Sequence, residues 1–174
     1  MKVLEYGGCL INGASPVFVA WVKRCRFGRV QVQVCRPWGR RRKVFPTSFW
    51  LVCPYLVKRA GMIESSGGVR ELQDYITSRG LVHEWRRYNM MHQVLRLRLG
   101  GKRMNEFVRR YRPKIFRDVM RGGVGGIHVG EGGVSVKCLH LQAASFIGLG
   151  HHPAGQWLKA EGLCGDCGSG LCVN

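Results

Sequence analysis

The chain has 174 residues, 45% apolar and 10% aromatic, with a formal charge of +18 from 28 basic and 10 acidic side chains. That length and apolar content suit one packed domain and argue against intrinsic disorder. No apolar run reaches the roughly 18 residues of a membrane span, and the opening residues lack the basic-then-apolar order of an export signal. The expectation is a cytoplasmic protein without a membrane span.

Eight cysteines in a chain without an export signal read as buried thiols, metal ligands or redox groups rather than disulfides. The charge is unevenly spread: residues 23–43 carry nine basic residues and no acid, and residues 86–121 carry twelve against Glu106 and Asp118. Such a chain attracts polyanions such as RNA at low salt.

In chain order, residues 16–35 alternate apolar and polar around Arg24-Cys25-Arg26-Phe27-Gly28, which predicts a β-hairpin with Gly28 at its turn. The charged segment 36–43 is a loop. A strand then runs to Cys53, and Pro54 fits the first position of a helix that Cys53 caps. Val69, Leu72 and Ile76 are spaced for a second helix, beginning after Ser66-Gly67-Gly68.

From Trp85, the positions Tyr88, His92, Leu95 and Leu99 continue a helical stripe, with Arg86, Arg87, Arg96 and Arg98 assigned to its flanks. Gly100-Gly101 breaks this basic amphipathic helix; Met104, Phe107, Val108 and Tyr111 mark the next, and Pro113 restarts a short one. Seven glycines between positions 122 and 133 predict tight turns around one or two short strands. Residues 139–149 form a small-residue helix, residues 156–160 a last turn. The fold class predicted is α+β: a small antiparallel sheet from residues 16–53 packed against basic amphipathic helices, with a single domain over 1–163 and a cysteine-rich tail over 164–174.

The segments FPTSFWLVCPYL, MIESSGG, RGGVGGI, VKCLHLQAA and HHPAG occur in an order that resembles a bacterial family known as domain of unknown function five-hundred-and-one. The resemblance spans roughly residues 25–155 and implies a bacterial, intracellular protein, with no activity to carry over. Two positions depart from the family pattern: Gln142 stands where a histidine is usual after KCLH, and His152 where asparagine commonly precedes the proline. A site needing a second histidine after His140 is therefore in question.

Four constellations bear chemistry. Cys164, Cys167 and Cys172 place three soft donors in nine residues, with Cys138 or His140 as a fourth ligand for an ion such as zinc; the plainer reading is a tail with incidental cysteines. Cys138, at a helix start between Lys137 and His140, and Cys53, at another, are candidate thiol nucleophiles, since helix N-termini and neighbouring cations favour thiolate; against this, cysteine is often simply packed. A pocket formed by Cys138 and His140, with Cys53 as third member, follows from both thiols standing at strand-to-helix junctions.

Third, the loop Arg121, Gly122, Gly123, Gly125 and Gly126 could surround an anion, with Thr47 adding a hydroxyl, although a structural turn explains the glycines equally. Fourth, Arg24, Arg26, Arg40, Arg41, Arg42, Arg86, Arg87, Arg109 and Arg110, interleaved with aromatics, suit RNA, and a solvated helix face is the rival. Two functions remain open: a basic protein binding RNA or another polyanion, with a structural metal, or a thiol- or metal-dependent enzyme acting on a small phosphate- or carboxylate-bearing substrate.

Overall fold

The computed structural model describes residues 17–39, 44–126, 133–168 and 170. Strands β1 (Val17–Arg24), β2 (Val30–Arg36) and β3 (Phe49–Leu51) form one antiparallel sheet in the order β1-β2-β3. The hairpin turn closes through Gly28 N–H to Cys25 O and Cys25 N–H to Arg29 O, both 2.8 Å, and Gly28 adopts φ +77°, a conformation that costs glycine little. Pairing of Val32 with Leu51 and Val34 with Phe49 turns one apolar face of the sheet toward the helices.

Helices α1 (Pro54–Ser65), α2 (Gly68–Ser78), α3 (Val82–Gly100), α4 (Lys102–Tyr111), α5 (Pro113–Arg121), α6 (Leu139–Leu149) and α7 (Gly155–Ala160) follow. The α+β class and the antiparallel sheet are as the sequence predicts. Pro54 opens α1 with Cys53 at the N-cap, also as predicted, although the thiol makes no cap hydrogen bond. In the glycine-rich region the described residues hold one 3₁₀ turn, Val124–Gly126, and residues 133–138 are not a strand; residues 127–132, where the sequence also predicts a short strand, lie outside the described residues.

Helix α6 is the centre of the molecule. Its small residues Ala143, Ala144 and Ser145 are buried, and a Cβ at Gly148 would overlap the Phe49 ring, so the helix can lie directly on β3. Leu56, Ala60, Leu72, Ile76, Trp85, Leu158 and Leu163 complete one main core. A smaller cluster of Trp38, Val108, Val119 and Met120 seals the α4–α5 hairpin, where Trp38 Nε1 donates to Asn105 Oδ1 at 2.7 Å. Among the described residues, no helix is long and apolar enough to cross a membrane.

Helix α3 corrects the expected helical face. Arg96 does not flank the stripe; it lies within it, 1% exposed, four residues beyond buried His92 and eight beyond buried Tyr88. Its Nε donates to Pro46 O at 2.7 Å, Nη1 to Val119 O at 2.8 Å and to Gly122 O, and Nη2 to Gly123 O. A buried guanidinium is tolerated because carbonyls take its protons, while burial holds its pKa down at about 10.

Candidate metal centre

The turn Ser66-Gly67-Gly68 brings the end of α1 against the start of α6. Gly67 takes φ +97°, and at Gly68 a Cβ would overlap Ile63 and press on Leu139. Glu64, in the last turn of α1, therefore meets Cys138 at the α6 N-cap and His140 in its first turn. One donor atom from each of Glu64, Cys138 and His140 lies within 4.8 Å of the other two. Cys138 is extended, at φ −162° and ψ 157°, while His140 is helical, so the C-x-H pair converges across a strand-like-to-helix change.

Each group is held. Backbone N–H groups of Leu139 and His140 donate to Glu64 Oε1, the latter at 3.3 Å, so this carboxylate caps α6, which Cys138 does not. His140 Nδ1 is 3.0 Å from the same oxygen, and Nε2 is 3.1 Å from Val57 O. Both partners only accept, so in this arrangement both ring nitrogens carry protons. The His140 pKa is accordingly pushed up to about 9, first by hydrogen bonding with Cys138 and also by Glu64, against the opposing effect of burial.

The arrangement suits two chemistries. A thiol nucleophile needs a histidine to hold its proton, and hydrogen bonding with Cys138 is the largest cause of the raised His140 pKa, so a thiolate–imidazolium pair fits the geometry. A metal ion needs neutral imidazole fixed by donation from its second nitrogen, which Nε2–H to Val57 O provides while Nδ1 faces the cluster. Glu64 and His140 side chains are 24% and 32% exposed, so the group is reachable from solvent.

The third member of the Cys138/His140 pocket is thus Glu64, not Cys53. Cys53 caps the opposite end of α1, about 16 Å from Glu64 along the helix axis, and is buried in the main core. The proposed tail site fares differently. Cys172 lies outside the described residues; Cys164 and Cys167 form no such group with Cys138 among the described residues. The tail instead folds back on the hairpin, with Gln31 Nε2 donating to Gly165 O at 3.1 Å and Arg26 to Gly168 O at 2.8 Å.

The loop Arg121, Gly122, Gly123, Gly125 and Gly126 does lie beside the Phe45-Pro46-Thr47 segment, since a Cβ on Gly126 would overlap Pro46. Its polarity is opposite to that of an anion cradle. The carbonyls of Gly122 and Gly123 face the Arg96 cation, Val124 N–H is taken by Asn89 Oδ1 at 2.9 Å, and Gly126 N–H by Gly123 O. Arg121 projects to solvent and Thr47 is buried. Of the arginines assigned to nucleic acid, Arg24, Arg26, Arg86, Arg87, Arg109 and Arg110 are exposed, on the hairpin end, on α3 and on α4; Arg40, Arg41 and Arg42 lie outside the described residues.

Gln142 and His152 meet each other. His152 Nδ1 accepts the Ala154 N–H and Nε2 donates to Gln142 Oε1, both at 3.0 Å, which fixes one neutral tautomer. Burial, with His92 and His151 nearby, holds its pKa down at about 3. Gln142 therefore faces His152 rather than His140, and its identity leaves the Glu64 group unaltered. Exchanging the pair back is testable by a thermodynamic cycle: Gln142→His and His152→Asn should each destabilise by about 1–3 kcal/mol, and the double variant should recover at least about 1 kcal/mol. Strict additivity in denaturant titrations would contradict the pairing.

No curated protein and no solved structure matches this chain. The profile described as Protein of unknown function (DUF501) matches residues 21–160, which include Glu64, Cys138, His140, Gln142 and His152. The chain belongs to the DUF501 family of proteins of unknown function.

Proposed function

We propose that this domain binds one zinc-class ion through Glu64, Cys138 and His140 and uses it in metal-assisted chemistry. The observation that carries the reading is the convergence of a carboxylate, a thiol and an imidazole within 4.8 Å, two of them oriented by backbone groups. A nitrogen, sulfur and oxygen set suits borderline-soft zinc better than magnesium or calcium, which prefer oxygen alone. Three protein ligands leave a position for water or substrate, whose acidity the ion would raise. Calorimetric titration of zinc into chelator-treated protein tests it: 1:1 saturation is expected, and heats that persist in Cys138→Ala would overturn it.

A second reading, polyanion binding, is supported by a particular surface. On α4, the Phe107 and Tyr111 rings are 56% and 63% exposed with centroids 4.8 Å apart, and Arg110 lies over Tyr111. Exposed rings among arginines offer stacking faces to unpaired bases. Binding of mixed single-stranded RNA should fall steeply as salt rises and weaken several-fold in Phe107→Ala/Tyr111→Ala. Affinity unchanged by that double variant would reduce the reading to general charge attraction.

A further inference from the structure

The segment HHPAG, conspicuous in the sequence, plays no part in the metal group, which lies at the other end of α6. The eleven residues of α6 put its two ends about 15 Å apart. At the far end, between the C-terminal turns of α2 and α6 and the start of α7, is a cavity of about 530 Å³. That volume is within the range of small-molecule sites.

The charged residues lining it are Arg79 and Lys159, joined by the imidazole of His151; no carboxylate lines it. Two rings form walls, and each is already covered by a cation: the Arg79 guanidinium is 5.6 Å from the Tyr75 ring centroid and the Lys159 ammonium 5.9 Å from that of Phe146. Neither Arg79 nor Lys159 makes an ion pair with a described residue, in contrast to Arg59 with Glu161 and Arg70 with Asp74. Their N–H donors remain available to an anion. The His152 side of the cavity is fixed and uncharged, because both its nitrogens are spent on Gln142 and Ala154.

We infer that this cavity is a second ligand site, taking a small phosphate monoester that carries a flat ring, as a nucleoside monophosphate does. Arg79 supplies a planar fork and Lys159 a point charge for the phosphate. The half-buried Tyr75 supplies apolar area for the ring, with the edge of the more deeply buried Phe146 behind it. The site is independent of the metal reading, because its lining shares no residue with the Glu64, Cys138 and His140 group.

The whole protein is titrated with adenosine monophosphate, inorganic phosphate and adenosine at near-physiological salt, where the +18 charge is substantially screened. Saturable 1:1 binding of the monophosphate is expected, tighter than that of phosphate or adenosine alone. Arg79→Ala/Lys159→Ala should weaken it about 10-fold or more, whereas Lys114→Ala/Arg117→Ala, which removes equal charge from exposed positions assigned to no site, should change it less than about 2-fold. Equal weakening by both double variants, adenosine binding as tightly as its monophosphate, or an absence of saturation would each overturn the inference.

Discussion

Replacement of Arg96 by methionine should destabilise the fold by about 3–5 kcal/mol, lowering the melting temperature by roughly 10 °C or more. The guanidinium ties three separate stretches of chain: Pro46 before β3, Val119 in α5, and Gly122 and Gly123 in the following loop. Methionine fills much of the volume but leaves four carbonyls without these donors in a buried place, and each such loss costs on the order of 1–3 kcal/mol before relaxation. Lysine should rescue little, since its three donors radiate from one atom and cannot reproduce a planar fork. The check is a pair of melting curves against wild type; a fall of less than about 1 kcal/mol for methionine would show that the loop holds its shape without the clamp.

Replacement of His140 by alanine should weaken zinc binding by at least about 100-fold, more than the loss expected for an outer partner of a ligand, because a donor itself is removed. The metal-free protein gives a second signature in its stability against pH. The folded pKa of His140, about 9, lies above the ordinary 6.5. Its contribution to stability is therefore fully present below pH 6.5 and is lost as pH rises through 9. Denaturant titrations of chelator-treated protein should show a decline across that window, and His140→Ala should flatten it. A wild-type profile identical to that of the variant would remove the raised His140 pKa, and with it the contacts to Cys138 and Glu64 that raise it, from the account.

What was legible in the sequence follows from which physics acts locally. The period-two alternation before Gly28, Pro54 at a helix start and the small residues of 139–149 each act over a few residues, and each appears where expected. Cys138 and His140 were legible as a pair because they share one turn. Glu64 was not, since its partnership spans more than 70 residues and depends on how Gly67 and Gly68 turn the chain; the only trace was its place within MIESSGG. Arg96 was misassigned for a related reason: charge suggests solvent, and only the tertiary fold reveals that four carbonyls await it. Gln142 and His152 read as two separate departures, yet they form a single hydrogen-bonded pair.

X-ray absorption at the zinc edge, on protein loaded with one equivalent of zinc, tests the metal assignment most directly, because it counts sulfur neighbours. Coordination by Glu64, Cys138 and His140 predicts one sulfur at about 2.3 Å with the remaining neighbours nitrogen or oxygen at about 2.0–2.2 Å. Three or four sulfur neighbours would place the ion in the cysteine-rich tail and contradict the account.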